Sequence, residues 1–394
     1  MNRDLFFEHI AQTSDEPIGI EVVRAEGIYL YGAQGERWID FISGICVNNV
    51  GHGAPEVLAA IREQSERYLH PMVYGEAILS PQVTYAARLV QALDSRLQVV
   101  YFLNCGAEAV EGALKVAKKY TGRTGFVSCY NAYHGSTHGA LSLTDPYTLP
   151  VGYGPLLPGV TFMRYNCPED LALITDQTAA VVVDAIQAAG GIVVPDAGYL
   201  QAVRQRCDET GALMILDEIQ TGFGRMGTLF AHLHYGVEPD ILLLGKALGG
   251  GMPMGAFVTR PEIIDIIRRD PVLGHITTFG GHPVCCAAGL AAFDKIIRER
   301  LTERVPALEA ILLARLRHPA ILRLTGKGLL YGITLDTYKR AEAVREAALR
   351  RGLVTIGFLN GGVGLRIAPP LVITPEEMHA ACDILLAALD EVYG

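Results

Sequence analysis

Short unbroken apolar runs alternate with segments of helical period through the middle of this chain. Gln98 to Leu103, Gly125 to Cys129, Ala179 to Asp184, Ala212 to Asp217 and Asp240 to Leu244 read as strands. Ala109 to Tyr120 and Gly198 to Thr210 read as helices between them. Runs without polar alternation belong to strands covered on both faces, and their alternation with helices predicts a mostly parallel sheet. Upstream, Glu21 to Phe41 alternates apolar and polar residues in the strand manner, with a turn at Gly32-Ala33-Gln34-Gly35. Residues 1–20 read as a helix and a loop, Ser43 to Gly53 as a Gly- and Asn-rich loop, and helices are predicted from Pro55 and over Pro81 to Leu93.

After about residue 284 the rhythm changes. Helices (Pro283 to Glu299, Thr302 to Arg317) precede short strands (Leu322 to Leu324, Leu329 to Leu335), a helix over 338–351, strands near 353–356 and 363–367, and a last helix from Pro375. The predicted class is α/β. Residues 51–283 are expected to form a large domain and 284–394 a smaller α+β domain, with the N-terminal segment 1–50 packing on the latter.

Composition narrows the function classes. Half of the 394 residues are hydrophobic and 19% are charged, so a large core is expected. A net charge of −9 offers no electrostatic case for nucleic acid or an anionic membrane. No window reaches the ~18 uninterrupted apolar residues of a membrane helix, and the charged start Met1 to Glu8 is no signal peptide. The eight cysteines are scattered, with Cys285-Cys286 adjacent and no CxxC pair. That argues against a zinc site and fits reduced thiols in a cytoplasmic enzyme.

Candidate chemistry gathers at strand ends. The run Leu213 to Leu216 meets Asp217-Glu218, then Gln220 and Gly222-Phe223-Gly224-Arg225; Ile241 to Leu244 meets Gly245-Lys246. In open α/β sheets, ligands bind at the carboxyl ends of strands. Most lysines after strands are surface groups, but Lys246 lies between an apolar run and Ala247-Leu248-Gly249-Gly250-Gly251. Desolvation there frees its amine as a nucleophile for a carbonyl. Asp217 reads either as a structural carboxylate, pairing with an arginine or capping a helix, or as the partner of a pyridinium nitrogen, with Gln220 on the same turn for a ring oxygen; Glu218 reads as structural. Gly106-Ala107 before a helix suits an anion, a weak signal alone. Tyr133, before His134-Gly135, is either core or a platform for a flat cofactor.

Together these segments resemble the class III (subgroup II) pyridoxal-phosphate aminotransferases of fold type I, with acetylornithine and ornithine aminotransferases as the nearest members. The resemblance runs from about Gly27 to Pro370. It is carried most specifically by Leu216 to Arg225, Pro239-Asp240 and Gly245 to Gly251. It implies a mostly parallel sheet of the seven-stranded type, pyridoxal 5′-phosphate as cofactor, no metal, and a homodimer with shared active sites. It further implies that Lys246 forms the Schiff base and shuttles the proton. Asp217 would hold the ring nitrogen, Gln220 the phenolic oxygen, Tyr133 the ring face, His134 the pocket, and the Gly106 and Ala107 backbone the phosphate. Thr278 would reach the neighbouring subunit's phosphate and Thr277 would lie near substrate. Arg366, in Leu365-Arg366-Ile367-Ala368-Pro369-Pro370, matches the arginine that grips a substrate carboxylate by a bidentate pair.

Three departures bear on substrate. Ser136 stands where acetylornithine enzymes carry an arginine for the α-carboxylate, which points away from acetylornithine as donor. Asp184-Ala185-Ile186-Gln187-Ala188-Ala189 replaces Glu-Pro-Ile-Gln-Gly-Glu, so Ala189 cannot mask Arg366 as the family glutamate does. Glu76 is a candidate substitute, or a surface carboxylate. His282 replaces an asparagine without a chemical account. The expected reaction is two-step transamination from an amine or amino-acid donor to a 2-oxo acid. A racemase, mutase or decarboxylase on the same fold, or a non-catalytic subunit, is the alternative.

Overall fold

The computed structural model describes residues 2–93, 96–149 and 151–394; Met1, within the predicted opening helix, lies outside them. That helix is short, Asn2–His9. Among the described residues, fifteen strands follow in chain order. β1 (Val22–Glu26), β2 (Tyr29–Gly32) and β3 (Arg37–Asp40) form a meander. β4 (Val99–Leu103), β5 (Gly125–Cys129), β6 (Val160–Met163), β7 (Thr178–Asp184), β8 (Leu213–Asp217), β9 (Ile241–Gly245) and β10 (Gly255–Thr259) form the central sheet, in the order β4-β10-β9-β8-β7-β5-β6. β11 (Arg323–Lys327), β12 (Leu330–Thr334), β13 (Leu353–Val354), β14 (Ile356–Gly357) and β15 (Gly364–Ile367) complete the set.

Only β10 runs against its neighbours in the central sheet, pairing antiparallel with both β4 and β9. Two of its strands, β6 and β10, are absent from the strands expected above. Each is only four or five residues long, and β10 opens on Gly255-Ala256 just after a glycine-rich stretch, where strand propensity is low. All five residues of β10 are nonetheless buried. Sandwiching between two strands overrides propensity.

The central strands are covered on both faces. Ala180, Val182, Ile215, Leu243 and Phe257 pack with one face of the helix Gly106–Thr121. Val181, Val183, Met214, Leu216, Leu242 and Leu244 pack on the other side with helices Tyr199–Thr210 and Pro283–Arg298. Burying each Leu, Val or Ile contributes roughly 1.5–3 kcal/mol, which is why these runs carry no polar residue until their ends.

The smaller domain carries two sheets. β13 pairs parallel with β3, joining the N-terminal meander to the C-terminal part of the chain. β11-β12-β15-β14 is the other, antiparallel throughout. The expected strand near 353–356 is divided between them, with β13 in the first sheet and β14 in the second. The stretch expected as a loop from Ser43 holds a turn of four successive left-handed residues, Ser43 to Cys46. Among the described residues no helix is long and apolar enough to cross a membrane.

Candidate active site

Five strands of one direction, β4, β5, β7, β8 and β9, end along a single edge of the central sheet. A cavity of about 330 Å³ lies there, and a segment following each of the five contributes to its wall. Sheet register places the groups. Asp184 pairs with Asp217, and Asp217 with Leu243, so Lys246 leaves the sheet three residues beyond the point opposite Asp217.

Asp217 is buried, and both of its oxygens are engaged: Oδ1 accepts from the Ile219 amide (2.9 Å) and Oδ2 from His134 Nδ1 (2.7 Å). Lys246 follows the strand at φ +49, a left-handed conformation for a side-chain-bearing residue, which costs on the order of 1–3 kcal/mol. It is half-buried and opens on the cavity. Desolvation lowers its pKa; Cys46, Asp217 and Asp184 oppose the shift, and Arg366 adds to it. The result is an amine more readily neutral than an ordinary lysine's.

The turn after β5 supplies Tyr133, His134, Gly135 and Ser136 to the cavity. The Tyr133 hydroxyl and Ser136 Oγ are hydrogen-bonded at 3.0 Å. Gly135 sits at φ +139, and a Cβ there would lie 2.6 Å from the Ala107 Cβ, so only glycine lets this turn approach the helix behind it. That helix, Gly106–Thr121, starts on the cavity wall without a side-chain cap. Its free amides and macrodipole suit an anion. Gln220 is half-buried and also lines the cavity.

Glu218 has a different place. It is fully buried and accepts from the amides of Ala231 and His232 and from His232 Nδ1, holding the segment after the strand.

Other expected residues lie off this cavity. Arg366 is buried in β15, its Nε donating to Gly357 O (3.0 Å), and lines a neighbouring cavity of about 180 Å³. Burial lowers its pKa, and among the described residues no carboxylate lies within ion-pair distance of it. Ala189 is buried; its carbonyl accepts from Leu359 (2.8 Å) and Asn360 (3.0 Å) amides. Thr277 is half-buried, Thr278 and Glu76 are exposed, and none of the three lines either cavity.

Several residues escaped the sequence reading. Asp184, Ile186 and Thr221 line the cavity. Asp184 ends an apolar run just as Asp217 does, so the sign that singled out one carboxylate was present at the other. Asn360 carried no sign. Its Nδ2 donates to Ala132 O (2.9 Å) and Asn131 O (3.3 Å), fastening the β14–β15 hairpin, which bears Arg366, to the turn that bears Tyr133.

A model of the family described as aminotransferase class-III matches residues 10–389. An acetylornithine aminotransferase of Methanocaldococcus jannaschii is 39% identical over 386 residues, covering 95% of this chain and 93% of that one. A putrescine aminotransferase of Pectobacterium atrosepticum is 39% identical over 367 residues, covering 88% and 77%. The crystal structure of an (S)-enantioselective omega-transaminase from Thermomicrobium roseum superposes with a TM-score of 0.90 at 31% identity, covering 99% and 98%.

Proposed function

This chain belongs to the class III aminotransferases, and from that premise we propose how its own residues divide the work. It is a pyridoxal-phosphate-dependent transaminase that moves an amino group from an amine or amino-acid donor to a 2-oxo acid. The cavity residues fit this cofactor. An uncapped helix start suits the phosphate, a buried carboxylate suits a protonated ring nitrogen, and a desolvated amine suits an aldehyde.

When bound, the cofactor supplies an aldehyde carbon that takes up the amine and a ring that draws electron density from the adjacent carbon. In our reading Lys246 Nζ removes a proton from the donor's Cα and returns one to the acceptor's carbon in the second half-reaction. Asp217, held by Ile219 N and His134 Nδ1, keeps a negative charge at the ring nitrogen. Gln220 orients the phenolic oxygen, Tyr133 covers the ring face, and the Gly106 and Ala107 amides hold the phosphate.

Arg366 is assigned to a substrate carboxylate. A buried guanidinium without an acid partner is a costly state that a carboxylate ligand relieves. We therefore assign donors and acceptors that both carry a carboxylate, ahead of plain diamines. Ser136 and Ala189 bring no charge of their own to substrate binding, and Glu76 stays a surface group. Thr278 and Thr277 are assigned to a second copy's site in a homodimer. Exposed Phe279, Met72 and Ile78 on the same and neighbouring segments give that interface an apolar surface. Domain limits near residues 50 and 283 and a cytoplasmic location, in keeping with eight free cysteines, complete the proposal.

A desolvated amine and a buried carboxylate facing one cavity carry this assignment. Lys246→Ala is expected to abolish turnover while the cofactor still binds noncovalently. Stoichiometric amine transfer to pyruvate or 2-oxoglutarate, followed alongside cofactor absorbance, is the measurement. Substantial residual transfer in the variant would place the proton shuttle on another residue.

A further inference from the structure

Asp184 is a buried carboxylate that the mechanism above does not use. β7 and β8 end in register with Asp184 directly beside Asp217. Two carboxylates side by side and buried repel each other unless a cation lies between them. His134, from the turn after β5, is placed to be that cation. Its Nδ1 bonds Asp217 Oδ2 at 2.7 Å, and its Nε2 faces Asp184 Oδ2 at 4.0 Å. One ligand atom from each of the three side chains lies within 4.8 Å of the others.

Two polar atoms mark the contact as specific to this trio. His134 Nε2 and Asp184 Oδ2 are both buried and have no hydrogen-bond partner. Nearby Tyr165 does not satisfy the carboxylate, since its hydroxyl donates to the backbone carbonyl of Asp184 (3.0 Å). Each orphan has the other as its nearest opposite charge. At 4.0 Å they are ionic neighbours and not a hydrogen-bonded pair.

We propose that Asp184 is a positioning residue that keeps His134 as a charged imidazolium, so that Asp217 faces the cavity with its Oδ2 held in a charge-assisted hydrogen bond. The proposal rests on the role assigned above to Asp217. An imidazolium donating to Oδ2 withdraws charge from that carboxylate more strongly than a neutral ring does. With Asp184 beside it, the imidazolium survives burial that would otherwise strip its proton.

The titratable surroundings act on both partners, favouring the imidazolium while burial presses Asp184 toward its neutral form, so the ionic pair is complete only once the raised Asp184 carboxyl has titrated. Burial works against the charged form of His134, and Asp184 and Asp217 outweigh it, so its pKa is raised overall. Burial raises the pKa of Asp184; His134 and Lys246 oppose this and Asp217 adds to it. Cys129 at the end of β5 and Tyr165 after β6 also face Asp184, and burial holds both in their neutral forms. Cys46 and Arg366 act on the Lys246 side.

The sign of the pH effect follows. Raised pKa values on both His134 and Asp184 mean that the folded protein binds more protons than the unfolded chain. The stability this contributes is fully present below the unfolded values and is lost as pH rises through the folded ones. Asp184→Asn removes one titrating group and weakens the hold on the His134 proton, so it flattens that fall.

The test compares wild type, Asp184→Asn and Asp184→Glu as cofactor-loaded proteins. Thermal unfolding midpoints are read from pH 6 to 9, together with the pH dependence of kcat. The wild-type midpoint is expected to fall more steeply with pH than that of Asp184→Asn. The alkaline limb of kcat in Asp184→Asn is expected about one pH unit lower, the scale of losing one nearby opposite charge. Asp184→Glu, which keeps the charge, is expected to restore both. Parallel midpoint curves, or an Asp184→Asn profile lowered equally at every pH without displacement, overturn the proposal. If Asp184→Asn does not fold, wild-type-like behaviour in Asp184→Glu supports it and a displaced limb there overturns it. The unfolding comparison does not depend on turnover, so failure of the transaminase assignment itself would show separately, as absent amine transfer in wild type.

Discussion

Lys246, half-buried, and Arg366, buried, are two basic side chains that answer desolvation differently. A lysine can give up its proton, and desolvation at the end of β9 moves it that way, which is what a proton shuttle requires. An arginine stays protonated in practice, so Arg366 keeps its charge and has to find an anion. Its only hydrogen bond from the guanidinium within the described residues is Nε to Gly357 O. Arg366→Ala is therefore expected to raise KM for carboxylate-bearing donors and acceptors on the order of 10-fold or more, the scale of one lost charged hydrogen-bonded pair. Activity toward arylalkyl amines in the donor half-reaction should change little. A donor panel of ornithine, 4-aminobutyrate, β-alanine, lysine and simple arylalkyl amines, scored by the cofactor's spectral change, measures this. Equal losses for all donors would remove Arg366 from substrate recognition.

At the scale of elements, the site is a set of strand exits and one helix start held at close range. The turn bearing Tyr133 and His134 touches the helix Gly106–Thr121 where Gly135 meets Ala107. Gly106 is equally constrained from the other side, because a Cβ there would sit 2.8 Å from Ile219 Cδ1. Gly135→Ala combines a left-handed φ with a steric overlap, and the turn must retreat from the helix. We expect a loss of about 1–3 kcal/mol in stability and weaker cofactor retention, read from urea unfolding and from cofactor titration of the apo protein. Unchanged cofactor affinity would show that this approach does not shape the phosphate end. The apolar runs and their ionisable ends were legible in the sequence because strand periodicity is local. β10 and β6 were not, because their strand character comes from neighbours supplied by distant parts of the chain.

Across the whole molecule, Arg225 ties the parts together. It is fully buried and donates to Leu329 O (3.1 Å), Pro369 O, Ser43 Oγ (3.1 Å) and Asn49 Oδ1. Those acceptors come from the N-terminal segment and the C-terminal sheet region, while Arg225 itself follows β8. The sequence showed it only as part of the Gly222 to Arg225 motif. Arg225→Met leaves four buried acceptors short of a donor and is expected to cost at least ~3 kcal/mol, seen as a lower urea midpoint. Because Arg366 and Lys246 lie on different sheets, the same variant should also raise KM for the 2-oxo acid. A stability loss with unchanged KM would mean that the two sheets hold their alignment without this residue.

The sequence by itself determined the alternation of buried strands and helices and the two ionisable strand ends at Asp217 and Lys246, while the cofactor was implied by the family resemblance those segments carry. Each of these is written in neighbouring residues, where periodicity and desolvation act locally. Only the tertiary structure decided that Asp184 stands beside Asp217 with His134 between them, that Asn360 fastens the Arg366 hairpin to the Tyr133 turn, and that Arg366 has no acid partner among the described residues. A buried charge is tolerable or costly according to what lies within a few ångströms of it, and sheet register and hairpin docking bring those neighbours from 33 to more than 200 positions away in the chain.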